Sequence, residues 1–462
     1  MSMAKITFCG GAGTVTGANF LFDTGKEKIL IDCGSQSQEY TCDDVNFAAF
    51  SYQPHEITAL IVTHAHADHI GRIPKLVRDG FRGAIYSTHA TKEISAVMFE
   101  DAVKIMRDEV TRHGCDMLYE TEHTERALAL WQGREYHETF EVGAANVELL
   151  DAGHVLGSAM VKLSRLRQGS DGQALERSIV FTGDLGNSPE PLLNDTESPA
   201  GANYIVMESV YGDRIHEGRA GRTARLRKAI EETHERKGVL IIPSFSIERT
   251  QVLLYEINEM VEHGGLESVP VFLDAPLGTR ITDVFKKYPK LFNPEAQKRF
   301  GTDADLFSFP GLKVIRNTGE SRDIHKEPNP KVIIAGAGMS GGGRVRAHER
   351  EYLGSPDTML LFVGYQAPGT LGRRIEDGAK HVSIDGADVH VCARIYNLTG
   401  YSGHADRDQL LQFVENARES LEKVFVTMGE PKSSMFLAQR IKDFLNVEAR
   451  VPEQNETVDI DW

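Results

Sequence analysis

The chain has 462 residues, too many for one ordinary hydrophobic core, so two domains, or one domain carrying a large insertion, are expected. Composition is that of a soluble globular protein, and neither a membrane-spanning run of ~20 apolar residues nor a signal-like N-terminus is present, which makes a cytoplasmic location, with no membrane partner, the expectation. The formal net charge of −16 argues against a general nucleic-acid coat protein, which needs broad positive potential to displace condensed counterions, while leaving room for a local basic cleft.

In chain order, short apolar runs alternate with Gly-rich turns over the first 210 residues: Lys5 to Phe8, Asn19 to Phe22, Lys28 to Ile31, Ala59 to Val62, Val147 to Leu150, Met160 to Leu163, Ile179 to Phe181 and Tyr204 to Met207. This pattern predicts a strand-rich domain with antiparallel hairpins. The glycine run Gly10 to Gly17 reads as a tight hairpin loop, because a strand rather than a helix follows it. Ile94, Val97, Met98, Ala102 and Ile105 recur at helical spacing within Thr91 to His113, and a more charged helix is expected over Glu122 to Gln132.

From about residue 213 helices alternate with continuous apolar strands, Val239 to Ile242, Val271 to Leu273, Lys331 to Ala335 and Met359 to Val363, which points to a parallel sheet in a separate α/β unit. A helix over Arg407 to Arg418, a strand over Lys423 to Thr427 and a helix over Ser433 to Leu445 follow. Cys9, Cys33, Cys42, Cys115 and Cys392 show no CxxC spacing and read as small buried residues rather than a disulfide framework. Arg219, Arg222, Arg225, Arg227 and Lys228 read as a solvated helix face. Arg344 and Arg346, beside the glycine run 336 to 343, are candidates for contact with a substrate backbone.

Three of the seventeen histidines fall in the hexapeptide His64-Ala65-His66-Ala67-Asp68-His69, directly after the apolar run Ala59 to Val62. His64 and His66, two apart, can reach one ion from an extended backbone, while Asp68 and His69 point elsewhere and can hold a second. Further ligands should sit at strand ends, where a rigid sheet aims them. His154 in Asp151-Ala152-Gly153-His154 and Asp184 in Thr182-Gly183-Asp184 meet that condition. The expected set is His64, His66 and His154 on one zinc, Asp68 and His69 on the other, and Asp184 bridging the two. Asp32, at the end of Lys28 to Ile31, is expected to accept hydrogen bonds behind the loop and orient ligands.

This order of strands and ligands resembles the metallo-β-lactamase superfamily, and later motifs resemble its β-CASP nuclease branch. Glu208 in Met207-Glu208-Ser209-Val210-Tyr211-Gly212-Asp213 is similar to the branch's motif A, with Val210 where threonine is usual, and His404 in Ser402-Gly403-His404-Ala405-Asp406 is similar to its motif B. Pro243 to Arg249, Leu273 to Leu277, Ala337 to Met339 and Val363 to Arg374 extend the resemblance over nearly the whole chain. It is to the bacterial and archaeal relatives of the endonuclease that cuts pre-messenger RNA before polyadenylation.

The resemblance implies a four-layer αβ/βα metallo-β-lactamase domain over residues 1–210 and 398–462, an inserted α/β β-CASP domain over 211–397, and an active site in the cleft between them. It implies a zinc-dependent phosphodiesterase that cuts single-stranded RNA, internally rather than from an end, in RNA processing or decay. His404 would be the general acid, Glu208 would keep it protonated, and Asp68 would help deprotonate the attacking water. A homodimer is implied by the family alone. One departure stands out: motif C is a histidine in the family, and Met428 takes its place in Val426-Thr427-Met428-Gly429-Glu430-Pro431. A thioether is a poor ligand for Zn²⁺, so the second ion is expected to be more weakly held. Met428 also keeps open a DNA-processing nuclease of the same fold, a non-catalytic scaffold, or a hydrolase of small esters or lactams.

Overall fold

In a computed structural model the described residues are 3–36, 45–168, 173–216, 221–267, 269–303, 305–367 and 369–462; Cys42, Arg219 and Pro368 lie outside them. The chain forms two compact units, Met1–Ile215 with His404–Trp462, and His216–Gly403.

The first unit is built on two seven-stranded sheets. One runs in the order Thr457–Asp461, Met3–Gly10, Asn19–Asp23, Lys28–Ile31, Ala59–Ile61, Ala84–Thr88, Trp131–Arg134. Its pairing is antiparallel up to Lys28–Ile31 and parallel beyond. The other runs Glu448–Arg450, Lys423–Val426, Tyr204–Met207, Ala174–Phe181, Ala159–Gln168, Ala145–Asp151, Phe140–Val142. Side chains alternate across a strand, and this alternation sorts the second sheet's residues between two cores. Ile179, Phe181, Val206 and Phe425 face Phe8, Phe20, Phe22 and Ile31 of the first sheet. Their neighbours Val180, Ile205, Met207, Val424 and Val426 pack instead with Leu410, Phe413, Val414 and Leu437 from the helices Arg407–Glu415 and Pro431–Arg440. Helix His89–His113 packs on the strands Ala84–Thr88 and Trp131–Arg134 of the first sheet. The layering is therefore helix, sheet, sheet, helix: the metallo-β-lactamase architecture.

Two sequence expectations change here. The buried face of helix His89–His113 is Ala90, Ile94, Phe99, Val103 and Met106, while Ile105 is exposed. Both sets fit a helical period, and the one that buries the Phe99 ring removes more apolar surface from water. Cys9 and Cys33 are free and buried, as read, and Cys392 is free and part-exposed, but Cys115 is disulfide-bonded.

The second unit carries a six-stranded sheet in the order Leu312–Val314, Val271–Asp274, Lys331–Ala335, Val239–Pro243, Thr358–Phe362, Arg394–Asn397, parallel throughout. Its central strands are buried from end to end, as a sheet covered on both faces requires. A short hairpin, His381–Ile384 with Ala387–His390, adds a separate two-stranded ribbon. Helix Arg222–Glu235 places Arg222 inside, against Glu256 and over the Tyr401 ring, whereas Arg227 and Lys228 pair with Glu231 and Glu232 along the helix.

Candidate metal centre

His64, His66, His154 and Asp184 all come from the turns that follow strands. Strand Ala59–Ile61 runs on through Val62, whose N–H donates to the Tyr86 carbonyl, and delivers His64 and His66; a short helix, Ala67–Ile70, then begins. Strand Ala145–Asp151 leads through the left-handed Gly153 to His154, whose N–H donates to Ser158 Oγ at 3.0 Å. A side chain at Gly153 would collide with the backbone of Asn194 and Thr196, so the turn requires glycine. Strand Ala174–Phe181 leads through the left-handed Gly183 to Asp184.

These turns bring four donor atoms, from His64, His66, His154 and Asp184, within 4.8 Å of one another. His64 Nε2 lies 3.0 Å from His66 Nδ1, and His154 Nε2 lies 3.3 Å from the same atom. Asp184 Oδ2 is 3.4 Å from His64 Nε2 and 3.6 Å from His154 Nε2. Nitrogens bound tetrahedrally to one zinc sit about 3.3 Å apart, so the spacing fits a single ion. The imidazoles are kept neutral: burial first, then neighbouring imidazoles, hold His64 below its ordinary range and His66 and His154 well below theirs. Neutral rings offer lone pairs. Burial opposes the charge of Asp184, but His69 and His64 hold its carboxyl well below the usual carboxylate range.

His69 sits on the far side of Asp184, with Nε2 3.3 Å from Oδ1. Both atoms are buried and neither makes a hydrogen bond. Orphaned donors and acceptors are costly in an interior, and a cation between them would satisfy both. The other nitrogen of His69 is fixed 2.7 Å from Asp32 Oδ2. Asp32 also accepts from the Thr63 N–H and hydroxyl, at 2.8 Å each, so it holds the His69 ring through the nitrogen that faces away from Asp184, the geometry that orients metal-binding histidines. The part played by Thr63 was not read from the sequence: nothing distinguishes a threonine at a strand end from any other. Asp68 is partly exposed and lies outside the four-atom cluster; burial raises its pKa, with the charge of Asp184 adding and that of His69 opposing.

Asp184, Glu208 and His404 form a second group of donors, also within 4.8 Å. Glu208 ends strand Tyr204–Met207; its Oε1 accepts from the Leu185 N–H at 2.7 Å and lies 3.2 Å from His404 Nδ1. His404 is held beside it by a bridge to Gly186, by the Ala405 N–H donating to the Leu185 carbonyl, and by Asp406, which caps helix Arg407–Glu415. Burial works against charge on His404, but Glu208, then Asp184 and Asp68, push its pKa up to about 9. The imidazolium is thus the neutral-pH form. Burial raises the pKa of Glu208.

Met428 is buried in the apolar core between the sheets, against Gly11. Its backbone is left-handed, with φ 43°, and its N–H donates to the Gly11 carbonyl at 2.7 Å. Arg344 and Arg346 belong to the second unit and are held in ion pairs, Arg344 with the buried Asp274 at 2.5 Å and Arg346 with Asp385 at 2.9 Å.

The fold and the convergent imidazoles define a metal-dependent hydrolase. Family models described as Beta-Casp domain and as Zn-dependent metallo-hydrolase RNA specificity domain match residues 250–375 and 388–452, and one described as Anti-Pycsar protein Apyc1 matches residues 5–216. The chain is 34% identical over 437 residues to ribonuclease TTHA0252 of Thermus thermophilus, covering 94% of this chain and 95% of that one. It is 30% identical to the transcription termination factor FttA of Methanosarcina mazei, over 98% of this chain and 71% of the relative. A solved structure of a protein of unknown function from Enterococcus faecalis shares the fold, with a TM-score of 0.57 at 12% identity over 99% of this chain and 100% of that one. The chain belongs to the metallo-β-lactamase β-CASP nuclease family.

Proposed function

We propose that this chain is a zinc-dependent endoribonuclease that cuts single-stranded RNA at internal phosphodiester bonds. The observation that carries the reading is the apposition of two groups that share Asp184: the His64, His66, His154 cluster on one side and the Glu208–His404 pair on the other. His64, His66 and His154 would hold one zinc, Asp68 and His69 a second, and Asp184 would touch both. Bound there, zinc supplies Lewis acidity toward water and toward the phosphoryl oxygens.

The chain's own residues do the rest. Asp68 accepts the proton released by the attacking water. Asp32 fixes the ring of His69 through Nδ1, so that Nε2 alone faces Asp184. His404 protonates the leaving oxygen from Nε2, because Nδ1 is turned to Glu208. Glu208 stabilises the imidazolium before transfer and is anchored by the Leu185 N–H, which keeps it from swinging into the site. Positioned proton transfer of this kind contributes roughly 10²–10⁴-fold to rate. Met428, packed in the core, adds no ligand for the second ion, which we infer is the more weakly held. A homodimer and a cytoplasmic location complete the proposal.

The test is cleavage of a 5′-labelled single-stranded RNA beside DNA of the same sequence by zinc-loaded protein, with His64→Ala in parallel. Internal RNA products that vanish in His64→Ala are expected. Cleavage confined to DNA would replace the reading with a DNA-processing nuclease, and no cleavage of either would replace it with a scaffold or small-substrate hydrolase.

A further inference from the structure

The last turn of the second unit is held by a buried polar network that takes no direct part in the cleavage chemistry. Arg222 opens helix Arg222–Glu235, and Glu256 lies on helix Arg249–Glu262. Both are buried, as is Tyr401 in the short turn Thr399–Tyr401. Arg222 Nε donates to Glu256 Oε1 at 3.3 Å, and the Tyr401 hydroxyl donates to Glu256 Oε2. Arg222 Nη1 donates to the Gly400 carbonyl at 3.0 Å, and its guanidinium lies over the Tyr401 ring, 5.0 Å from the centroid. The two helices thus grip one turn by its main chain, by a ring face and by a hydroxyl. Burial, then the charge of Glu256, push the Tyr401 pKa up, which keeps the phenol a donor.

Cohesion alone does not ask for these groups. Replacing a buried ion pair by apolar side chains of similar volume is often neutral or stabilising, so Met, Leu and Phe would join the helices to the turn equally well. What the polar set adds is direction: hydrogen bonds fix where the turn lies, and the bond to the Gly400 carbonyl fixes main chain as well as side chain. The place of the turn in the chain gives that direction a use. The second unit ends at Gly403, and the next residue is His404. Beyond His404 the chain is fixed by the Ala405 N–H on the Leu185 carbonyl and by the Asp406 cap; before it, the chain is fixed at Gly400 and Tyr401. Three residues span at most about 11 Å, so the imidazole rides on a short segment held on both sides.

We propose that Arg222, Glu256 and Tyr401 are positioning residues for His404: they set the main chain from which its imidazole reaches the leaving oxygen. The proposal rests on the reading of His404 as the proton donor. A displacement of about 1 Å costs a reacting group up to about 10²-fold in rate. Here the loss falls on the step that needs the proton, not on zinc or RNA binding.

A leaving group that needs no proton isolates this role. Zinc-loaded full-length protein is given single-stranded RNA and the same RNA with sulfur in place of the leaving oxygen at the mapped cleavage bond, since a thiolate departs unprotonated. The ratio of the two single-turnover rates, oxygen over sulfur, is read for the native chain, His404→Ala, Tyr401→Phe and the apolar variant Arg222→Met/Glu256→Leu/Tyr401→Phe. Each variant is checked for native zinc content and circular dichroism. The ratio should fall by about 10²-fold or more in His404→Ala and by about tenfold in both network variants. Tyr401→Phe keeps the ring and its packing, and decides the matter should the apolar variant not fold. A ratio that stays native in the network variants while falling in His404→Ala overturns the proposal and leaves His404 as the acid. A ratio that stays native in His404→Ala as well, or a native chain that cuts neither RNA, removes the reading of His404 and the proposal with it.

Discussion

Each unit buries an aspartate beside imidazole at the end of a strand or in the turn after it, and the two sites do opposite things with it. In the second unit Asp274 is saturated: Ser321 Oγ and Arg344 Nη1 donate to it at 2.5 Å and His348 Nε2 lies 2.7 Å away. These bonds outweigh burial and lower its pKa. In the first unit Asp184 faces His64, His69 and His154 at 3.3–3.6 Å, with Oδ1 bonded to nothing. A buried acid next to histidine is therefore no mark of a catalytic centre by itself. What marks one is the direction of the groups: donors converge on Asp274 and finish it, whereas the neutral rings of His64, His66 and His154 turn lone pairs toward the space beside Asp184, where a cation fits.

Parallel substitutions break the comparison if it is wrong. Asp184→Ala should remove bound zinc, read by metal analysis after gel filtration, and lower RNA cleavage by about 10³-fold or more, since metal activation of water and charge stabilisation are lost together. Its folded state should survive. Asp274→Ala should keep the zinc and lose about 3 kcal/mol of stability in a denaturant titration, because the buried His348 and the part-buried Arg344 lose the carboxylate they share. If the zinc content instead followed Asp274 and the stability followed Asp184, the contrast between the two sites would be inverted.

The histidines sharpen it further. His404→Ala should slow cleavage by roughly 10²–10⁴-fold while zinc stays bound, the signature of a lost proton donor. Cleavage by His348→Ala should stay within a few-fold of native, because His348 serves only Asp274. A His404 variant that lost its zinc would make the residue a metal ligand instead of an acid.

The sequence was most informative where a run is continuous and apolar. Lys28–Ile31 and Lys331–Ala335 form strands over the residues read for them, because buried parallel strands have no polar positions to blur their limits. The convergence of His64, His66, His154 and Asp184 was legible for a related reason: glycine turns at strand ends aim the side chains that follow them. The hairpin His381–His390 went unread: His381 to Ile384 does alternate polar and apolar, but each strand spans only four residues, at the short limit of a readable period-two run. The register of helix His89–His113 was read one face away, because the spacing alone cannot choose between Val97/Ile105 and Phe99/Val103. Asp274 was visible only as part of a motif, its partners being 47 to 74 residues distant.

A third buried acid completes the contrast with the smallest expected effect. Glu349 is fully buried and, among the described residues, has no cation in hydrogen-bonding contact; Ser340 donates to Oε1, and Oε2 is unbonded. Burial, opposed only in part by Ser340 and Arg346, pushes its pKa up to about 8. The folded chain therefore keeps a proton that the unfolded chain releases near pH 4.5. Stability from this group is full below pH 4.5 and drains away as the pH rises toward 8, at up to about 1.4 kcal/mol per pH unit. Glu349→Gln keeps the acceptor for Ser340 and cannot ionise. The variant's urea midpoint should accordingly change less than that of the native chain between pH 5 and 8, with the two nearest each other at the acid end. Parallel profiles across that range would mean that Glu349 is ionised in the fold and paired, and the second unit would then hold two acids of the Asp274 kind, neither of them neutral.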